Sequence, residues 1–226
     1  MTRRGISRGP GKGIVVLAGE SSNDRRILAA LIKSAHPELA AAVSLTEITD
    51  PVRLRKKSGV ELDTAAHTLV KKARGKAKCK AGEFVGIAVH EDMDACLGPA
   101  YDAARRTVSD ALSRAAASSS SVYALAAVES EAWLLLFPDA FPLYRPSWKV
   151  PAQWRGRDTG RRQTPKKDLE AELTRPRFRE SDGPEIVSHA LEHGLLADPI
   201  GSNRSYSEFI EDLTSWSVPV PSPHQR

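Results

Sequence analysis

Three short runs of uninterrupted apolar residues stand out along the chain: GIVVLAG at 13–19, FVGIAV at 84–89 and VYALAAV at 122–128. A strand half-exposed to water alternates apolar and polar residues. A run without that alternation predicts a strand covered on both faces, as in parallel sheets. Between the runs the period becomes helical. Ser21, Ser22 and Asn23 offer caps for a helix over 24–35, whose inner stripe is Ile27, Leu28, Leu31 and Ile32. A further strand is predicted at 41–48 and a helix at 61–74, with the lysine-rich segment 71–80 following it. Gly98-Pro99 opens a helix at 100–117, proline being well placed in a first turn. Strands alternating with helices predict an α/β fold, a mainly parallel sheet flanked by helices.

Beyond Phe137 the pattern changes. Prolines and tryptophans are frequent over 138–165, and short helices are predicted at 166–173, 184–192 and 205–213. The last begins with Ser205 and Glu208, spaced as a capping box. The expected organisation is a disordered basic lead-in at 1–12, an α/β core at 13–137, a helical, basic appendage at 138–216 and a loose proline-rich tail at 217–226.

Composition narrows the class. An apolar content of 41% over 226 residues suffices for a real core and excludes wholesale disorder. The 33 basic and 28 acidic residues leave a charge of +5, which suits a nucleic-acid partner without demanding one. Cys79 and Cys96 lack paired spacing, so neither a disulfide framework nor a cysteine zinc site is expected, and a cytoplasmic location is. No apolar run approaches the roughly 20 residues that span a bilayer, so no membrane association is expected.

Each buried strand runs into acid: Glu20 after the first, Asp92 and Asp94 after the second, Glu129 and Glu131 after the third. In open parallel sheets the carboxyl ends of the strands line the ligand crevice, so acids from neighbouring strands would converge there. Crowded carboxylates repel and raise one another's pKa unless a cation neutralises them. A hard divalent ion, Mg²⁺ or Mn²⁺, suits such oxygen ligands and can activate water and neutralise a phosphodiester. Two aspartates separated by one residue past a strand end can turn toward the same crevice. Glu20, Asp92 and Asp94 are therefore the candidate catalytic and metal-holding residues. Taken singly, each is also ordinary helix-capping chemistry.

The order of buried strand, Glu, helix and then buried strand, Asp-x-Asp, carried by VVLAGESSND and GIAVHEDMDA, resembles the Toprim domain of topoisomerases, primases and OLD-family nucleases. Those nucleases often show Glu-Gly-x-x-Glu at the first site; here Glu20 and Asp24 hold the acidic positions and Ser21 replaces the glycine. VESEAWLL at 128–135 resembles a segment of small stand-alone Toprim-like proteins of bacterial defence loci, which often sit beside an ATPase. The resemblance implies metal-dependent cleavage of DNA or RNA, with a possible ATPase partner, and makes Asp24 and Glu131 supporting metal ligands. Trp133 and Leu134 are expected in the core.

Two basic clusters are candidates for gripping a phosphate backbone: Lys71, Lys72, Arg74 and Lys76, continuing to Lys78 and Lys80, and Arg155, Arg157, Arg161, Arg162, Lys166 and Lys167. A solvated surface is the plainer reading of both. Trp148 and Trp154, beside the second, could stack on bases or anchor a protein interface. An alternative to the nuclease is a non-catalytic module that binds nucleic acid or an ATPase. A further alternative, a zinc peptidase, rests on His189, Glu192 and His193, which spell H-x-x-E-H. Ile186, Ala190 and Leu191 also explain that helix as simply amphipathic. His90 could assist a proton transfer or orient a phosphate, or be a partly buried hydrogen-bonding residue.

Overall fold

The computed structural model describes residues 12–217. The expectations of a basic lead-in and of a proline-rich tail fall almost wholly outside them. Four strands, β1 (Gly13–Ala18), β2 (Val43–Glu47), β3 (Glu83–Asp92) and β4 (Ser120–Ala126), form one sheet in the order β2-β1-β3-β4. Every pairing in it is parallel. The crossovers are carried by α1 (Ser22–Ala35) with the short α2 (Pro37–Ala42), then α3 (Gly59–Cys79), then α4 (Pro99–Ala116). After β4 come α5 (Glu131–Leu134), α6 (Ala140–Tyr144), α7 (Pro165–Glu172), α8 (Gly183–Glu192) and α9 (Arg204–Thr214).

The unbroken apolar runs are explained by cover on both sides of the sheet. Within β1, Val15 and Leu17 join one hydrophobic cluster while Ile14, Val16 and Ala18 join the other. The first cluster is completed by α1 and by residues after β4, including Trp133, Phe141, Trp148, Ile186 and Phe209; the second by α3 and α4. The C-terminal helices thus share a core with one face of the sheet, and α9 packs directly on β4.

From β1 the chain moves outward to β2, then returns across to β3 and β4. The direction of travel reverses between β1 and β3, the place where open α/β sheets form their ligand crevice.

Local boundaries differ from expectation in five places. The strand expected at 41–48 is Val43–Glu47, because Ala41 and Ala42 belong to α2. Helix α3 does not stop near Arg74 but absorbs the lysine run to Cys79, because Ala66, Leu69, Val70, Ala73 and Ala77 prolong its buried stripe. Strand β3 does not end at Val89: pairing of His90, Glu91 and Asp92 with Ala124, Leu125 and Ala126 carries it through the first acids. The third apolar run is paired from Ser120 to Ala126, so its last residues leave the sheet. The α9 cap is Asn203, whose side chain accepts from Tyr206 N–H, and Ser205 is not the capping residue.

Candidate functional site

At the carboxyl edge of the sheet lies a cleft of about 250 Å³, lined by Glu20, Ser21, Asn23, Asp24, Ile27, Asp92, Asp94, Glu129, Ser130, Glu131, Leu134, Lys166, Glu180 and Gly183. Seven of these carry carboxylates and one is a lysine. All five acids predicted as metal ligands are present: Glu20 directly after β1, Asp24 in the first turn of α1, Asp92 at the end of β3, Asp94 just beyond it and Glu131 at the start of α5.

Each acid is held by its own local structure. Ser21 caps α1, its hydroxyl accepting from the N–H groups of Asn23 and Asp24, while Asp24 Oδ2 accepts from Ser21 N–H at 2.7 Å. This reciprocal capping box fixes the Asp24 carboxylate at the cleft. Asp92 Oδ1 accepts from Ser130 N–H at 2.8 Å, tying β3 to the segment after β4. Asp94 sits at φ 56°, a left-handed backbone that aspartate tolerates better than most residues, and its carboxylate is paired with Arg55. Asp94 N–H donates to Val128 O at 3.0 Å and Val128 N–H to Ala95 O at 2.8 Å. Val128 itself stands at φ 59°, which a β-branched residue adopts only when its surroundings enforce it.

The strand extension splits two neighbouring acids. Glu91 points to the α3 face, fully buried, where it accepts from Leu54 N–H, Arg55 N–H and Tyr123 O–H. It pins the loop that carries Arg55 toward Asp94. Burial, and secondarily Glu20, raises its pKa above the usual carboxylate range. In sequence only the Asp-x-Asp spacing set Asp92 apart from Glu91; in the fold the pleat separates them.

On the other face, His90 lies under the cleft at 1% exposure, between Asp24 (Nδ1 to Oδ1, 3.8 Å) and Asp92 (Nε2 to Oδ1, 3.8 Å). Among the described residues neither ring nitrogen has a hydrogen-bond partner, and the ring meets Trp133 edge-on at 5.5 Å. Burial lowers the His90 pKa against the opposing pull of Asp24, favouring the neutral ring.

The cleft is electrostatically unfinished. Asp92 is pushed well above the usual range by burial and then by Glu131, Asp24 and Glu129, against the bond from Ser130. Glu131 is pushed up to about 7 by burial first and by Glu129 and Glu180 after it, with Lys166 pulling the other way. Lys166 is already engaged: its ammonium pairs with Glu180 and its backbone N–H donates to Glu129 at 3.2 Å.

The donor set fits a hard divalent ion in chemistry: carboxylate oxygens in excess, raised pKa values and an unpartnered buried imidazole between two of the acids. No three of the cleft's acids bring ligand atoms within 4.8 Å of one another; among the described residues only His189, Glu192 and His193 do so. Mg²⁺ keeps several waters and so reaches part of its ligands through them, which suits carboxylates spread by repulsion.

The basic clusters do not converge on this cleft. Lys76 and Lys78 lie in the last turn of α3 and Lys80 caps it, beside the start of β3 and so at the opposite edge of the sheet. Lys71 lines a separate groove with Val60 and His67, Lys72 pairs with Asp50, and Arg74 donates to Ala116 O. In the second cluster Arg155 pairs with Asp139, Arg161 with Asp158 and Arg162 with Asp168; Arg157 donates to Gln153 O and Lys167 is exposed. Only Lys166 reaches the cleft lining. Trp148 is a core residue at 1% exposure, its indole N–H donating to Pro176 O, so it offers no free face for a base. Trp154 carries Arg162 over its ring at 3.9 Å.

Trp133 and Leu134, at 1% exposure each, are core residues as expected. Glu180 lines the cleft from far along the chain, and no local motif signalled it. His189, Glu192 and His193 lie at the other end of α8 from Gly183, away from the cleft lining. No helix among the described residues is long and apolar enough to cross a membrane. No family model, curated protein or solved structure matches the chain.

Proposed function

We propose that the chain is a divalent-metal-dependent phosphodiester hydrolase of the Toprim-like kind, acting on DNA or RNA, in bacterial anti-phage defence with a partner ATPase. The observation that carries this reading is the convergence of Glu20, Asp92 and Asp94, with Asp24 and Glu131, on one cleft at the switch point between β1 and β3. Glu20, Asp92 and Asp94 would hold the ion with Asp24 and Glu131 in support, and Mg²⁺ or Mn²⁺ bound there would neutralise phosphodiester charge and lower the pKa of bound water. The chain's own contribution is orientation. Ser130 N–H aims Asp92, the Ser21 capping box aims Asp24, and Arg55 positions Asp94. Lys166, on the rim, is placed to meet a phosphate oxygen once it exchanges Glu180 for it. The defence setting and the ATPase rest on the likeness of VESEAWLL alone.

The test is cleavage of single- and double-stranded DNA and RNA with Mg²⁺ or Mn²⁺, comparing wild type with Asp92→Ala. The expected loss is at least about a hundredfold, as for a group that organises a metal site. Equal cleavage by both would remove the site assignment. No cleavage by either, with a candidate partner ATPase also present, would remove the enzyme reading.

A second reading, a non-catalytic module binding nucleic acid or an ATPase, draws on one observation: Asp94 and Lys166 are already tied to Arg55 and Glu180. Such a module would show no Mg²⁺-dependent stabilisation that Asp92→Ala abolishes.

A further inference from the structure

We propose that His189, Glu192 and His193, at the C-terminal turn of α8, form a second metal site, one for a borderline transition-metal ion such as Zn²⁺, Co²⁺ or Ni²⁺. Residues three and four apart on a helix share one face, so the spacing alone stacks the three side chains. The structure goes further: one ligand atom from each lies within 4.8 Å of the other two. Tetrahedral zinc, with Zn–N bonds of about 2.0–2.1 Å, needs ligand atoms about 3.3 Å apart. Glu192 is exposed and closes that difference by small rotations about its side-chain bonds.

Two details aim the donors. His193 Nδ1 lies 2.9 Å from His189 O. A carbonyl only accepts, so Nδ1 carries the proton and Nε2 keeps its lone pair for an ion. This backbone bond is the usual way a ligating histidine is fixed in tautomer and orientation. His189 Nδ1 is buried without a hydrogen-bond partner among the described residues and faces Glu192 Oε2 at 3.8 Å. A metal ion between them would satisfy both. The location adds to this, because the cluster sits at the negative end of the ten-residue helix α8, where positive charge is favoured.

The ligand class separates this site from the cleft. Imidazole suits zinc, cobalt, nickel and copper, whereas carboxylate and water suit magnesium and manganese. With Glu192 among the ligands it is not left free to serve as a base. The site is therefore one of metal binding, and the H-x-x-E-H string needs no peptidase to explain it. The two sites stand at opposite ends of one helix, since Gly183 at the start of α8 lines the cleft, about 15 Å away at 1.5 Å per residue.

The test is isothermal titration of the untagged full chain with Zn²⁺ in a large excess of Mg²⁺, with Co²⁺ absorption in the visible range as a second readout. Wild type is expected to bind one ion per chain, Asp92→Ala to bind the same, and His193→Ala and Glu192→Gln/His193→Ala to lose it. His193 is exposed, so its removal leaves the fold intact, which a circular dichroism melt verifies. Wild-type binding by His193→Ala, loss in Asp92→Ala, or no zinc bound by wild type would each overturn the proposal. None of these outcomes depends on whether the cleft cleaves nucleic acid.

Discussion

A methyl group placed on Gly19 would come within 2.9 Å of Asp24 Cβ, closer than real side chains approach one another. The residue before Glu20 is therefore glycine because the capping aspartate needs its space. Gly19→Ala is expected to push Asp24 out of its capping box and to cost about 1–3 kcal/mol, as overpacking of a tight site does. Thermal unfolding followed by circular dichroism checks this, and an unchanged melting temperature would mean that the start of α1 yields freely. At the same scale, adjacent residues divide their roles by the pleat alone. His90 and Asp92 face α1 and the cleft, while Glu91 holds the Arg55 loop on the far face.

Elements meet at a buried hydroxyl. Ser205 Oγ accepts from Ala127 N–H at 3.1 Å and from the Trp133 indole N–H at 2.9 Å, and donates to Asn203 Oδ1 at 2.8 Å. Asn203 in turn caps α9 and donates to Thr159 Oγ1 at 3.0 Å. One serine thus joins the end of β4, the tryptophan of EAWLL, the start of α9 and the turn at Thr159–Arg161. Ser205→Ala leaves two buried donors without an acceptor, at about 1–3 kcal/mol each. Chemical denaturation is expected to show a lowered midpoint with an unchanged slope, and a loss under about 0.5 kcal/mol would mean that water replaces the hydroxyl.

For the whole molecule the acid cleft is a stability cost that pH should reveal. Glu131 rises from 4.5 to about 7 on folding, so between those values the native chain binds more protons than the unfolded chain. Stability from this group is then highest at low pH and falls as pH rises through that window. His90 acts in the opposite direction, since its lowered pKa makes the unfolded chain the better proton acceptor below its usual value. Comparing Glu131→Gln with wild type isolates the carboxylate: the variant should melt higher above pH 7, with the gap closing toward pH 4.5. A gap independent of pH would show that Glu131 is not buried as a charge. Mg²⁺ should narrow it at neutral pH, because binding to the native state stabilises by mass action.

The strands, the principal helices and the acids at the strand ends were legible along the chain, because apolar period and caps are carried by contiguous residues. The α/β class followed from their alternation, and Trp133 and Leu134 were rightly assigned to the core. What contiguity does not carry is which strands lie side by side. The order β2-β1-β3-β4 brings Glu20 next to Asp92, and the packing of the segments after β4 brings Glu180 to the cleft. Pairing energy, which no single strand contains, carried β3 through Asp92 and parted Glu91 from it. Most arginines of the second cluster proved to be partners for nearby acids, since a charge's neighbours in space decide whether it is free. His189, Glu192 and His193 are the reverse case: helical spacing puts them on one face, and the structure brings one ligand atom of each within 4.8 Å of the others.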